Sequence, residues 1–190
     1  MKIILGSQSA GRRAVLSKMG YVFETISPDI DEKQIRFDDP KTLTLALAHA
    51  KADALLPRVP EPALLITSDQ VVHYEGGIRE KPETLEEARM FLKSYADHPA
   101  TTVTAVVVAN TVTGRRAEGV DIARTYFKPI PDAVIEQAIE DGKVLRCCGG
   151  FAIDEPNLAP YIDHIDGDPD SVTGLPTELV KRLLSEVEKV

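Results

Sequence analysis

The chain has 190 residues, of which 43% are apolar and 27% charged, a composition that excludes a disordered segment, a collagen and a coiled coil. Its 22 lysines and arginines stand against 30 aspartates and glutamates, giving a formal charge of −8. That balance argues against a protein that coats a nucleic-acid polymer, which needs a basic face, but leaves room for a small anion gripped by a few local cations.

In chain order, Lys2–Leu5 is an apolar run stopped by Gly6, as in a buried strand. Residues 10–19 place Ala14, Val15, Leu16 and Met19 at helical spacing, and Gly20 ends the helix. Residues 21–26 alternate as a second strand, so the chain opens strand, loop, helix, strand, as α/β proteins do. A strongly periodic helix follows over 42–56, then a loop over 58–62 that holds Pro60 and Pro62. Residues 64–74 read as a strand whose apolar members are Leu64, Leu65, Ile66, Val71 and Val72. Thr84 caps a helix reaching Tyr95, with Glu86 and Glu87 in the first turn, where the helix dipole favours acids. Residues 101–110 are β-branched and alternating, and Thr113-Gly114 turns the chain into a partner strand over 115–127. Pro131-Asp132 opens a helix that Gly142 closes, and residues 177–187 form an amphipathic helix.

The apolar run at the N-terminus is too short for a signal peptide. The longest apolar stretch, residues 103–109, falls far short of the ~20 residues of a membrane helix. Cys147 and Cys148 are adjacent, a spacing that rarely closes a disulfide, so a reducing, cytoplasmic setting is expected. The expected fold is α/β, a mixed twisted sheet with flanking helices spanning residues 1–190 as one domain, with two lobes around a cleft.

Five segments carry groups suited to chemistry. Gly6-Ser7-Gln8-Ser9-Ala10-Gly11-Arg12-Arg13 joins a strand to a helix. It lacks the Lys and Ser/Thr of a P-loop, yet helix N–H groups, two hydroxyls and two guanidiniums favour an anion. The alternative is a capped surface helix with exposed arginines. Asp29-Ile30-Asp31-Glu32-Lys33 follows the second strand and suits Mg²⁺, or is a solvated acidic turn. Lys51, on the helix over 42–56, is by type usually a surface lysine. In Ile66-Thr67-Ser68-Asp69-Gln70-Val71-Val72 a carboxylate and a carboxamide interrupt an apolar strand, which is costly unless they are paired or belong to a site. Asp69 suits a metal or a proton taken from attacking water. Lys81, in Glu80-Lys81-Pro82, fits a site or a structural salt bridge.

Cys147-Cys148-Gly149-Gly150-Phe151-Ala152-Ile153-Asp154 is read as paired glycines for close backbone approach, cysteines for packing, and an acid that follows an apolar strand. Residues 166–176 read as a loop fixed by glycines and prolines, without EF-hand spacing. His49, His73, His98 and His164 have no metal-ligand spacing and stay out of the chemistry.

Together these segments resemble the Maf-like nucleotide pyrophosphatases over nearly the whole chain. The carriers are Leu5-Gly6-Ser7-Gln8-Ser9 with Arg12-Arg13, Asp29-Ile30-Asp31-Glu32, Ser68-Asp69-Gln70-Val71-Val72, Glu80-Lys81-Pro82, Gly149-Gly150-Phe151 and Val172-Thr173-Gly174-Leu175-Pro176. Asp-Ile-Asp-Glu-Lys and Ile-Arg-Glu-Lys-Pro are similar to the family's eukaryotic-type branch. The resemblance implies a fold shared with inosine-triphosphate pyrophosphatases and a Mg²⁺- or Mn²⁺-dependent hydrolysis of a nucleoside triphosphate to monophosphate and pyrophosphate. It puts Asp69 at the general base, Ser7, Ser9, Arg12, Lys51 and Lys81 at phosphate-handling positions, and Glu32 at the metal; Arg13 joins the cations expected to grip the triphosphate, and Asp69 joins Glu32 in holding its metal. Family members are often homodimers.

Two departures bear on substrate. The family's Ser-Pro-Arg-Arg is Ser9-Ala10-Gly11-Arg12 here, so the first arginine is lost. The residue after the catalytic Asp is Thr in the dTTP/UTP branch and Gln70 here, and that branch's later Gln corresponds to Asp154. Gln70 and Asp154 together are similar to the branch that hydrolyses 7-methyl-GTP, where a carboxylate suits the guanine N1–H and 2-amino edge and a positively charged base. Rival expectations are a dTTP/UTP pyrophosphatase and a non-catalytic nucleotide-binding regulator of cell division. A Nudix enzyme is excluded by the missing glutamate-rich box.

Overall fold

The computed structural model describes residues 1–59 and 62–188. Pro60 and Glu61, within the predicted loop 58–62, lie outside the described residues. In chain order the elements are β1 (Lys2–Leu5), α1 (Ala10–Lys18), β2 (Phe23–Thr25), α2 (Pro40–Leu55), β3 (Ala63–Tyr74), β4 (Gly77–Arg79), α3 (Leu85–Ser94), β5 (Ala100–Asn110), β6 (Arg116–Phe127), α4 (Asp132–Glu140), β7 (Ile162–Asp166), α5 (Pro169–Thr173) and α6 (Thr177–Glu188). The strands form a mixed seven-stranded sheet in the order β2-β1-β3-β5-β6-β7, with β4 on β3. β1 runs parallel to β2 and β3, while β3–β4 and β6–β7 are antiparallel.

The chain divides into two compact units. The first holds Met1–Gln70, Thr104–Asp121 and the chain from Thr173 onward. Its central strands β1, β3 and β5 bury apolar residues on both faces, the pattern of a strand covered by helices on each side. Ile3, Leu5, Leu64, Ile66, Val106 and Val108 pack with Val15 and Leu16 of α1 and Leu179, Val180, Leu183 and Leu184 of α6. The alternate residues Ile4, Ala63, Leu65, Ala105 and Val107 pack with Ala48, Ala52 and Leu55 of α2. A helix–sheet–helix sandwich results, as the continuous apolar runs of β1 and β3 require.

The second unit holds Val71–Val103 and Ile122–Val172. Its core joins Phe91, Leu92 and Tyr95 with Phe127, Ile135, Ile139, Phe151 and Leu158. The rings of Tyr95 and Phe127 are stacked at 5.6 Å, and Phe151 meets both edge-on.

Most predicted elements occur within a few residues of expectation, and the departures have local causes. α2 starts at Pro40 rather than 42, because Asp39 accepts the Thr42 N–H at 2.8 Å and Pro40 suits a first turn. β4 was missed because its hairpin turns on Glu75-Gly76, with Glu75 at φ 46°, where Asn or Asp would be the usual signal. β7 hides in the charged sequence Ile162-Asp-His-Ile-Asp166, whose pairing to β6 is irregular between Tyr126 and Phe127. No strand precedes Asp154; Gly149 and Gly150, both at φ 70°, break the extended path. The predicted loop 166–176 contains α5.

Candidate active site

The first unit assembles a buried polar group from four separate segments. β1 ends at Gly6, whose N–H donates to the Ile66 carbonyl at 2.8 Å. A Cβ there would come within 2.5 Å of Leu55 and 2.8 Å of Thr67, so the chain can enter the next turn only as glycine. Ser7 is buried, and its Oγ accepts the Ser9 N–H at 3.1 Å. Ser9 is the N-cap of α1, its Oγ accepting the Arg12 N–H at 3.3 Å. Both hydroxyls that sequence reading assigned to phosphate thus also organise the strand-to-helix turn.

Arg12 is buried rather than exposed. Its Nε donates to the Gly174 carbonyl at 3.0 Å and one terminal nitrogen to the Ser68 carbonyl at 2.8 Å. Ser68 Oγ donates to the same Gly174 oxygen at 2.9 Å. This knot braces the β3 segment immediately before Asp69. Gln70, on the other side of Asp69, packs over Gly174, where a Cβ would fall 2.0 Å from its Oε1. Arg13 is exposed and donates to the Gln8 carbonyl at 3.0 Å.

Asp69 is the centre of the group. Its side chain and that of Lys51 are nearly sealed from solvent, 9% and 6% exposed, and Lys51 Nζ lies 2.5 Å from Asp69 Oδ1. Lys51 also reaches Glu32 Oε1 at 3.0 Å. A lysine whose type suggests the surface is therefore buried, because α2 packs its face against the sheet and two carboxylates receive the ammonium. Burial pushes the Asp69 carboxyl above the ordinary carboxylate range, while Lys51 and Arg12 pull it down and Glu32 adds a smaller upward push.

Glu32 opens a short turn, Glu32–Gln34. The neighbouring Asp31 is used locally, accepting the Lys33 N–H at 3.1 Å and Gln34 Nε2 at 3.0 Å. Of the acids in that segment, Glu32 alone among 29, 31 and 32 is paired to Lys51 in the structure. Among the described residues no three His, Cys, Asp or Glu side chains gather as a metal cage. Glu32 and Asp69 present two hard carboxylates through one shared cation, a donor set that fits Mg²⁺ or Mn²⁺ when phosphate oxygens complete the shell.

Lys81 and Asp154 belong to the second unit. Lys81 is exposed, between Glu80 and the buried Pro82. Asp154 is exposed and ion-paired to Lys143 at 2.7 Å. Burial pushes the half-buried Cys147 thiol up, with Lys143, Asp154, Lys81 and Arg146 as smaller influences, so it remains a thiol, while Cys148 packs against the core of the second unit.

The profile of the family described as Maf-like protein matches residues 2–187. The chain belongs to the Maf-like family. It is 47% identical over 194 residues to a protein of Dictyostelium discoideum named 7-methyl-GTP pyrophosphatase, with 98% of each chain covered. It is 32% identical to a nucleoside triphosphate pyrophosphatase of Synechococcus sp. (strain JA-2-3B'a(2-13)), covering 97% of this chain and 93% of that one. Among solved structures, a nucleoside-triphosphatase / dITP/XTP pyrophosphatase from Mycobacterium abscessus aligns at a TM-score of 0.41 and 14% identity, covering 99% and 96%.

Sequence reading of this Maf-like chain overlooked three contributors. Gly174 lies in a recognised motif, yet its carbonyl is the acceptor that ties Arg12 to Ser68. Lys143 gave no signal before its pairing with Asp154 was seen. Arg79, in the motif Ile-Arg-Glu-Lys-Pro, lies 3.8 Å over the ring of Tyr74 and 4.5 Å over that of Phe91. No helix among the described residues is long and apolar enough to cross a membrane.

Proposed function

We propose that this Maf-like protein is a metal-dependent nucleoside triphosphate pyrophosphatase whose preferred substrate is 7-methyl-GTP, cleaved to its monophosphate and pyrophosphate. The observation that carries the reading is Asp69, a buried carboxylate at 2.5 Å from an equally buried lysine, in the middle of the largely buried strand β3. A charge placed there is costly unless it has work to do. Asp69 accepts the proton of the attacking water as the bond between the α- and β-phosphates breaks and pyrophosphate leaves. Lys51 holds Asp69 in its ionised form and in place, and Glu32 and Asp69 supply the carboxylates for Mg²⁺ or Mn²⁺. The metal, when bound, neutralises charge on the phosphate oxygens. Lys81 as a cation for the phosphate chain, and Asp154 as the carboxylate that reads the guanine edge, belong to the same proposal. The 47% identical relative named a 7-methyl-GTP pyrophosphatase supports the choice of base, as does Gln70 with Asp154.

The test is a nucleotide panel of 7-methyl-GTP, GTP, dTTP and UTP with Mg²⁺ or Mn²⁺, or with chelator, scoring pyrophosphate separately from phosphate. Pyrophosphate release is expected to be fastest with 7-methyl-GTP and to stop with chelator. Asp69→Asn is expected to lower turnover by about 10²–10⁴-fold, with nucleotide binding retained by calorimetry. A near-normal rate in that variant removes Asp69 from its role, and faster cleavage of dTTP or UTP reassigns the base. Binding without pyrophosphate release under either metal points to a regulator.

A further inference from the structure

We propose that Tyr95 is a positioning residue for Lys81, acting through the backbone of Gly149; this rests on the pyrophosphatase reading, in which Lys81 handles the phosphate chain. The Tyr95 ring is 1% exposed and wedged among Tyr74, Phe127 and Phe151. Its hydroxyl donates to the Gly149 carbonyl at 2.7 Å. The Gly149 N–H in turn donates to the Glu80 carbonyl at 2.9 Å. That carbonyl belongs to the peptide whose nitrogen is Lys81, so the hydroxyl of Tyr95 is two hydrogen bonds from the backbone that launches the Lys81 side chain.

The link is built closely enough to transmit position. Gly149 has φ 70°, and a Cβ on it would stand 2.6 Å from Val72 and 2.8 Å from Tyr95 Oη. The turn is therefore seated directly on β3 and on the tyrosine. Two residues before Lys81, the guanidinium of Arg79 lies over the rings of Tyr74, Phe91 and Tyr95 and donates to Ser94 Oγ at 2.8 Å. The buried Pro82 follows Lys81 and stiffens the exit. A long exposed lysine has many rotamers, and the protein limits its reach mainly by fixing where its backbone begins. Burial pushes the Tyr95 hydroxyl up to about 12, so it stays a hydrogen-bond donor throughout the neutral range.

The experiment is a double-mutant cycle on 7-methyl-GTP hydrolysis with wild type, Tyr95→Phe, Lys81→Ala and the double variant. Tyr95→Phe keeps the ring and is expected to lower kcat/KM roughly tenfold, as small misplacements of a reacting partner do. Its split between kcat and KM is expected to follow that of Lys81→Ala on a smaller scale. In the Lys81→Ala background, Tyr95→Phe is expected to change neither constant, the non-additivity of residues acting as one unit. Tyr74→Phe is the control: it removes a hydroxyl bond to the Ser94 carbonyl in the same cluster and is expected to leave kcat/KM within about twofold.

Equal losses from Tyr95→Phe in both backgrounds, or a loss matched by Tyr74→Phe, overturn the positioning role and leave the pyrophosphatase reading intact. A wild type that releases no pyrophosphate overturns the reading and the proposal with it, whereas a Lys81→Ala variant as active as wild type overturns the role of Lys81 and this proposal while the pyrophosphatase reading stands. Amide hydrogen exchange of the wild type tests the link without any substitution. The Gly149 N–H is expected to be protected like the core of α3, and exchange as fast as an exposed loop overturns the proposal.

Discussion

Replacing Lys51 with methionine keeps an unbranched side chain as far as Cε and removes only the ammonium held between Asp69 and Glu32. Glu32 is half exposed, so its share of the pairing is screened by solvent and small. Asp69 is not, and two outcomes are open to it. It can remain a buried anion without its adjacent partner, which costs about 3–5 kcal/mol. Or it can take up a proton, which caps the loss. Each pH unit of enforced protonation above the ordinary value of 3.8 costs about 1.4 kcal/mol, so at pH 7 the ceiling is roughly 4 kcal/mol. Relief of the ammonium's own desolvation offsets part of this, leaving an expected loss of about 3 kcal/mol and a fall in Tm of roughly 6–12 °C.

The pH dependence has a definite sign. Burial already holds the folded Asp69 above its unfolded value in the wild type, and the variant raises it further. An acid raised in the folded state loses stability as pH climbs from the unfolded value toward the folded one. The gap between wild type and variant should therefore be below about 1 kcal/mol at pH 4 and widen up to pH 7. Urea denaturation across that range, with matching m-values, measures it. A loss that is constant with pH, or smaller than about 1 kcal/mol at pH 7, refutes the idea that this pair is desolvated.

Three further outcomes follow from the same geometry. Because burial raises Asp69, its carboxyl in the metal-free protein should titrate above the ordinary value of 3.8 by NMR; titration at or below that value contradicts the desolvation of this charge. Asp154→Gln should lower kcat/KM for 7-methyl-GTP relative to UTP by about tenfold or more, and an unchanged ratio removes Asp154 from base reading. Gly174→Ala should destabilise the fold by about 1–3 kcal/mol, because φ is 104° and the new Cβ meets Gln70 and Arg12; it should also lower kcat by loosening the brace on β3, so a variant with wild-type stability and rate would show that the knot has slack.

The sequence by itself determined the alternation of strands and helices, the continuous apolar runs of β1 and β3, and the cap supplied by Thr84, because these follow from local periodicity and short-range hydrogen bonds. It marked Asp69 as a polar group inside an apolar strand and, through resemblance, supplied Lys51, Glu32 and Lys81. It did not reveal that Asp31 caps its own turn while Glu32 turns toward Lys51, a choice made by side-chain direction rather than by residue type. Nor did it separate Arg12 from Arg13, which are adjacent in sequence but respectively buried against Ser68 and Gly174 and exposed beside Gln8. The β4 hairpin and the β7 pairing were hidden by residues that local propensity scores as poor turn or strand formers. Tertiary structure decided these matters because burial and long-range partners set the free energy of a charged side chain, and neither is written in the residues beside it.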